Sequence, residues 1–326
     1  MHIGFVASIN GLGHARRITH LALSFNKMGF LTTVFATKHQ IKRLLPELNL
    51  LGKYMNFIEI SSHGIDGPVW MKDGCQIETP SNQVISIIKK CDLIIYDNSI
   101  WPVKFNSNFV LFGHFNWLNY WEIQKKKKYS KKFLDIFDQE VSLFRDVDIS
   151  FQLTNFVLDG VFNTGVNIPI RLMRYDSDIK MPKLVKHSTV WIANGTTKLS
   201  KFFDFTNVQN IDLNFRVAET NCLSHEPTKP IAVIGRPGLG TIRDCLAAGV
   251  VFIPYLEDSD PELESNILSL QKLSLVSDVS LNPSKFSLDL IRLTKDTDFL
   301  EYWSNIWVEV SQDCLEICEL ILKFTD

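Results

Sequence analysis

Met1-His2-Ile3-Gly4-Phe5-Val6-Ala7-Ser8-Ile9-Asn10-Gly11-Leu12-Gly13-His14-Ala15-Arg16-Arg17 is the stretch on which the fold of this sequence turns. The run from Ile3 to Ser8 reads as a buried strand, and two glycines follow before Ile18, Leu21, Ala22 and Phe25 recur at helical spacing. Gly29 marks the helix stop. Strand, glycine turn and helix open a βαβ unit, in which the turn bends tightly and the new helix points free amides into the space above the sheet.

Further strands are expected at Leu31 to Ala36, Phe57 to Ser61, Leu93 to Asp97, Val110 to Gly113 and Ile149 to Leu153, alternating with helical patterns. That alternation predicts an α/β fold with a parallel sheet. The polar segment from Arg171 to Lys186 lacks periodicity and reads as a linker. A second alternation follows, with strands at Thr189 to Ala193, Ile211 to Val217, Ile231 to Ile234, Val250 to Pro254 and Leu275 to Val279. Phe299, Trp303, Trp307, Val310, Cys314 and Leu320 predict one or two closing helices with a buried face. Two Rossmann-like domains are expected, 1–170 and 171–299, followed by a helix at about 300–326.

The hydrophobic fraction of 45% supports real cores, and a formal charge of −2 supplies no basic excess for nucleic acid. Cys75, Cys91, Cys222, Cys245, Cys314 and Cys318 are scattered without a CxxC pair, so reduced thiols of a cytoplasmic protein are expected and a metal site is not. The amino terminus enters a strand without a signal-peptide pattern, and no apolar run approaches the roughly 20 residues that span a bilayer. Lys125 to Lys128, with Lys131 and Lys132, lie near Trp117, Tyr120 and Trp121. Such a cluster is either a solvated loop or a peripheral anchor on an anionic membrane.

The first turn is not a dinucleotide site. Arg16 replaces the third glycine of GxGxxG, and no acidic residue follows the second strand, which runs into Ala36-Thr37-Lys38-His39-Gln40. His14 lies over the carboxyl end of the sheet, where α/β folds bind ligands. It is either a helix-cap histidine or a general base. Asp97, ending its strand at the same edge, is either the orienting acid for that base or a cap for the turn at Asn98-Ser99.

In the second half a strand runs into Gly235-Arg236-Pro237-Gly238-Leu239-Gly240-Thr241 and then a helix. Small residues, a hydroxyl and a helix amino terminus suit a diphosphate without metal. Arg236 can add a charge-assisted contact, and Asp244 is placed to meet a ribose diol. The loop Asn194-Gly195-Thr196 could face the same diphosphate, and the acidic loop from Glu257 to Asn266 suits sugar hydroxyls.

In their order along the chain these turns resemble those of inverting GT-B glycosyltransferases: the lipid-linked peptidoglycan transferases, the UDP-glycosyltransferases and the UDP-sugar hydrolase of pseudaminic acid synthesis. A glycine-glycine-histidine turn followed by arginine is matched by Gly11, Gly13, His14 and Arg16, and the donor turn by Gly238, Gly240, Thr241 and Asp244. Ala248-Gly249-Val250 with Pro254 is similar to the strand approach of that group, and Phe115-Asn116-Trp117 resembles a segment of glycosyltransferase-like proteins related to the amino-terminal part of plant arabinokinase. Departures are Asp244 for the usual glutamate, Leu263 for the glutamine after Glu262, and Arg236-Pro237 where smaller residues are common.

The resemblance implies a GT-B fold with two Rossmann-like domains facing a central cleft, the helix at about 300–326 packing back on the first, and transfer of a sugar, UDP-linked by preference, to a hydroxyl of a glycan or lipid-linked glycan in surface polysaccharide synthesis. His14 would be the base and Asp97 its orienter. Gly13, Asn194, Gly195, Thr196, Arg236, Gly238, Leu239, Gly240, Thr241, Asp244 and Glu262 would hold the donor. Gly11, Arg16, Phe115, Asn116 and Trp117 would hold the acceptor. Neither metal nor cofactor is implied. A nucleotide-sugar hydrolase and a non-catalytic nucleotide-binding partner of another transferase are the alternatives.

Overall fold

The computed structural model describes residues 1–50, 52–61, 63–64, 78–98, 100–124, 129–175, 189–193, 214–218, 229–256, 259–276 and 296–325. The chain forms two compact units, Met1–Met173 with Asp313–Asp326, and Arg174–Gln312.

The first unit runs β1 (His2–Val6), α1 (Gly11–Lys27), β2 (Leu31–Ala36), α2 (Lys38–Leu50), β3 (Phe57–Glu59), α3 (Asn82–Lys90), β4 (Leu93–Asp97), β5 (Phe109–Gly113), α4 (Trp117–Ile123), α5 (Lys131–Phe144), β6 (Ile149–Leu153) and β7 (Val166–Ile170). A short strand, β8 (Leu172–Arg174), follows where the chain leaves the unit. All pairings in the seven-stranded sheet are parallel, in the order β3-β2-β1-β4-β5-β6-β7. The register Ile3↔Leu93 through Val6↔Tyr96 brings the carboxyl ends of β1 and β4 side by side. Gly4 lets them pack closely, since a Cβ there would approach Ile94 Cδ1 to 2.6 Å.

Two details depart from the sequence reading. β1 ends at Val6, and α1 begins at Gly11, whose φ of +77° makes the turn. Gly13 and His14 therefore lie inside the first helical turn. β7 and β8 were not expected: Pro169 interrupts the strand pattern of Val166–Ile170, and Leu172–Arg174 falls in the segment read as the linker. β7 is the sheet edge, where a missing N–H is tolerated.

The second unit contains β9 (Thr189–Ala193), β10 (Asn214–Ala218), β11 (Ala232–Gly235), α6 (Leu239–Ala248), β12 (Val251–Pro254), α7 (Pro261–Lys272) and α8 (Thr297–Val310). Its four strands pair in parallel in the order β10-β9-β11-β12. Gly249, at φ +64°, ends α6 in the left-handed conformation that glycine adopts without penalty. The strand expected at Leu275 to Val279 is not formed at Leu275 and Val276, which lie in a turn, and its remainder is outside the described residues, as are most of the linker and residues 211–213.

The closing stretch is split. α8 buries Trp303 and Trp307 in the second unit, a short β13 (Ser311–Asp313) follows, and α9 (Cys314–Thr325) belongs to the first unit. There Ile317, Cys318 and Ile321 are fully buried, Cys318 Sγ lies 3.9 Å from the Leu21 carbonyl of α1, and Phe324 meets Phe151 edge-on. Among the described residues no helix is long and apolar enough to cross a membrane. Lys125 to Lys128 lie outside them. Trp117, Tyr120 and Trp121, the aromatics read beside those lysines, are core residues no more than 3% exposed, so they are not placed to enter a bilayer.

Candidate active site

In the first unit the strand order reverses at β1, whose neighbours β2 and β4 lead away in opposite directions, and such a reversal opens a crevice beyond the carboxyl ends of the strands. The turn after β1 is pinned on its protein side. Gln40 Nε2 donates to the carbonyls of Ser8 at 2.8 Å and Gly11 at 2.7 Å, and Trp117 Nε1 donates to Ser8 Oγ at 3.1 Å. On its outer side the turn is open: a Cβ on Gly13 would meet nothing within 4 Å.

His14 from α1 and Asp97 from the end of β4 meet there, with Nδ1 3.1 Å from Oδ1. Asp97 is fully buried, yet its pKa is lowered. Burial disfavours the charged form, and the Arg17 guanidinium together with His14 outweighs it. Arg17 grips the carboxylate with both arms of its fork, Nε to Oδ2 at 3.0 Å and Nη2 to Oδ1 at 2.5 Å. Its Nη1 lies 3.2 Å from Nδ1 of His114, the residue that follows β5. The imidazoles of His14 and His114 stack with centroids 6.0 Å apart.

Asn98, beside Asp97, takes a left-handed φ of 62°, a backbone strain of the kind that clusters at functional sites. Its Nδ2 is 3.4 Å from His14 Nδ1. Gly113 admits this side chain, since a Cβ there would collide with it. His14 keeps 7% of its surface accessible, and its Nε2 has no hydrogen-bond partner among the described residues.

The arginine read as part of this turn is not the one that joins the site. Arg16 Nε pairs with Glu47 Oε2 of α2 at 3.0 Å, and Arg17, three residues after His14 on the same helical face, takes the place beside Asp97. Phe115 and Trp117 are 2% exposed and pack against His14 from below, with centroids 6.1 and 6.4 Å from its ring. Asn116 caps α4, accepting from the Asn119 amide at 2.8 Å, and donates to the Phe162 carbonyl at 3.0 Å, so both ends of its amide are engaged within the protein. All three residues are buried and pack beneath the site. Gly11 is exposed at the mouth of the turn.

In the second unit Gly238 is the cap residue of α6, with no side-chain cap and no acidic residue in the first turn. The amides of Leu239 and Gly240 thus begin a helix end suited to an anion. A Cβ on Gly238 would meet nothing within 4 Å. The loop before it is held by Asn266, fully buried, whose Nδ2 donates to the Pro237 carbonyl at 3.0 Å. Thr241, half-buried, lies in the first turn.

Arg236 extends to Asp260 Oδ2 at 3.1 Å. Asp260 caps α7 by accepting from the amides of Glu262 and Leu263. Burial, with Glu262 nearby, raises its pKa despite Arg236. Asp244 is 5% exposed and bound to Arg243 Nη1, whose guanidinium lies 3.4 Å over the Tyr175 ring, so the carboxylate read as a ribose partner is engaged with its own neighbour. Glu262 is partly exposed and Leu263 is buried at 4%. Asn194, Gly195 and Thr196, as well as Glu257 and Asp258, lie outside the described residues.

No family model matches the sequence, and a search of curated proteins finds no match. Solved structures do match along the whole chain. The spinosyn forosaminyltransferase SpnP is 14% identical, with 100% of this chain and 99% of that one covered and a TM-score of 0.65. LpCGTa, solved with UDP, is 11% identical over 100% and 99% at 0.65. The glycosyltransferase VinC, solved with dTDP, is 12% identical over 100% and 99% at 0.58.

The chain has the GT-B fold.

Within that fold the structure brings His14 and Asp97 together and adds Arg17, Asn98, Gln40 and His114, which the sequence reading did not single out; in the second unit it adds Arg243 beside Asp244 and ties Asn266, read only as the end of the acidic loop, to the turn before α6. The i, i+3 spacing from His14 could have found Arg17, and the position directly after β5, next to β4 in the sheet, could have found His114. Nothing local marks Gln40, which reaches the turn from a separate helix. Among the described residues no group of three or more His, Cys, Asp or Glu side chains could hold a metal ion.

Proposed function

We propose that this protein transfers a sugar from a nucleotide-diphosphate donor to a hydroxyl group of a glycan or lipid-linked glycan, by a single displacement that inverts the anomeric centre and needs no metal. The observation that carries the reading is His14, held on an ionised Asp97 through Nδ1, with an Nε2 that has no partner among the described residues, at the switch point of the first sheet. In that arrangement Nε2 takes the proton from the acceptor hydroxyl as its oxygen attacks the anomeric carbon. The bond from that carbon to the diphosphate oxygen breaks, and its electron pair leaves with the diphosphate.

The amino terminus of α6, with Arg236 beside it, is the proposed diphosphate site. The absence of acidic residues from its first turn supports an anion there. The nucleotides bound to the two structural neighbours, UDP and dTDP, make these the donors to try first.

A thermal-unfolding panel of UDP, dTDP, GDP and CMP with their sugar conjugates tests the donor. A ligand at 100 times its Kd adds about 2.7 kcal/mol to the stability of the folded protein. Turnover with and without hydroxyl acceptors then tests the reaction. Sugar release that needs no acceptor would mean hydrolysis, and tight donor binding with no turnover would mean a non-catalytic partner. Activity that survives EDTA is expected.

A further inference from the structure

We infer that Arg17 is a positioning residue that holds two stacked imidazoles, His14 and His114, in opposite tautomers, so that one ring alone presents a basic nitrogen. A guanidinium can only donate. Arg17 Nη1, 3.2 Å from His114 Nδ1, therefore requires the lone pair on that nitrogen, and neutral His114 carries its proton on Nε2. On the other side Asp97, ionised and able only to accept, lies 3.1 Å from His14 Nδ1 and draws that ring's proton to Nδ1, which leaves the lone pair on Nε2.

Two donors also approach His14 Nδ1, Arg17 Nη2 at 3.3 Å and Asn98 Nδ2 at 3.4 Å. Both are farther away than the carboxylate, and Arg17 Nη2 makes its shorter contact to Asp97 Oδ1. The guanidinium thus serves the pair in two ways. It fills Asp97 Oδ2, so that Oδ1 is the oxygen turned to His14, and it occupies the basic nitrogen of His114. Among the described residues, the groups facing the two rings include Asp97 and Asn98 at the end of β4, Arg17 on α1, and the aromatic rings of Phe115 and Trp117.

The inference rests on the proposed role of His14, yet its test needs no turnover. Long-range proton–nitrogen NMR on protein labelled with 15N-histidine, near neutral pH, distinguishes the two neutral tautomers, and the signals are assigned from His14→Gln and His114→Gln. The expected spectrum has His14 protonated on Nδ1 and His114 protonated on Nε2. Arg17→Met should lose the single-tautomer signature of His114, and Arg17→Lys, which restores one donor, should recover part of it. In an active transferase Arg17→Met should also lower kcat by on the order of 10²- to 10⁴-fold, the size of a general-base contribution, with the donor KM little changed.

Wild-type His114 protonated on Nδ1, wild-type His14 protonated on Nε2, or unchanged tautomers in folded Arg17→Met would each overturn the assignment. The wild-type spectrum decides it even where Arg17→Met does not fold. An inactive wild type with the expected tautomers would defeat the proposed reaction and leave this inference standing.

Discussion

His14 Nδ1 lies 3.1 Å from Asp97 Oδ1, joining a helix and a strand 83 residues apart in sequence. That one contact separates two effects that mutation can measure. His14→Ala should remove the proposed base, with transfer falling by on the order of 10²- to 10⁴-fold, while the thermal shift produced by UDP or dTDP persists because the proposed diphosphate site is in the other unit. Asp97→Asn should lower transfer comparably and also destabilise the fold. It leaves the buried Arg17 guanidinium without its counter-charge, a change that costs about 3–5 kcal/mol. Chemical denaturation of both variants checks the contrast: His14→Ala near wild-type stability, Asp97→Asn well below it.

Gly13 separates a ligand requirement from a folding one. Nothing among the described residues needs a glycine there: its φ is not positive, it sits in the first turn of α1, and a Cβ would meet none of them within 4 Å. Gly13→Ala should leave stability unchanged or raise it by up to about 1 kcal/mol. Nucleotide-sugar affinity or transfer should fall if a ligand passes over that backbone. Raised Tm with unimpaired turnover would assign Gly13 no part in binding.

The fold was legible because both halves carry the strand, glycine turn and helix alternation that a parallel sheet imposes, and because β2, β4, β6 and β9 are apolar runs of ordinary length. Pro169 concealed β7, since its edge position is a tertiary fact. Of the first site, His14 and Asp97 were legible from their places at strand and helix ends. Arg16 was assigned to the turn by resemblance alone, without regard to the helical period. Once the helix starts at Gly11, the 3.6-residue period selects Arg17 and turns Arg16 toward α2. Phe115, Asn116 and Trp117 were assigned to the acceptor by resemblance alone. Their burial, at 2 to 4% exposure, is a tertiary fact that no local pattern shows.

Arg16 has its own measurable consequence. Its partner Glu47 also accepts from His20, with Nε2 3.2 Å from Oε1. Burial opposes ionisation of Glu47, but the bond to His20 and the charge of Arg16 prevail and bring its pKa from 4.5 down to about 2. A carboxylate depressed in the folded state stabilises the protein above its unfolded value, and that contribution is lost as pH falls toward the folded one. Stability should therefore drop between about pH 4.5 and pH 2, by up to about 3 kcal/mol from this residue at 1.36 kcal/mol per pKa unit. Glu47→Gln should be less stable at neutral pH and show a shallower acid slope. Urea unfolding across that range, with equal slopes for variant and wild type, would remove Glu47 from the account.

Asn266 tests whether the loop before α6 is a preorganised binding element. Its side chain is 1% exposed and donates to the Pro237 carbonyl at 3.0 Å, tying α7 to the residue just ahead of the helix cap. Asn266→Ala deletes the donor, leaves that carbonyl short of a partner and opens a small void, which together cost about 1–3 kcal/mol. Asn266→Asp keeps the shape but sets a carboxylate oxygen against the carbonyl, so it should be the worse of the two. If the loop's geometry serves an anion at the amides of Leu239 and Gly240, both variants should lose nucleotide affinity beyond the change in global stability, because a loosened loop must be reordered on binding. Calorimetric titration with UDP at a temperature where each variant is fully folded isolates that term. Unaltered affinity in a folded Asn266→Ala would show that the bond serves the core alone.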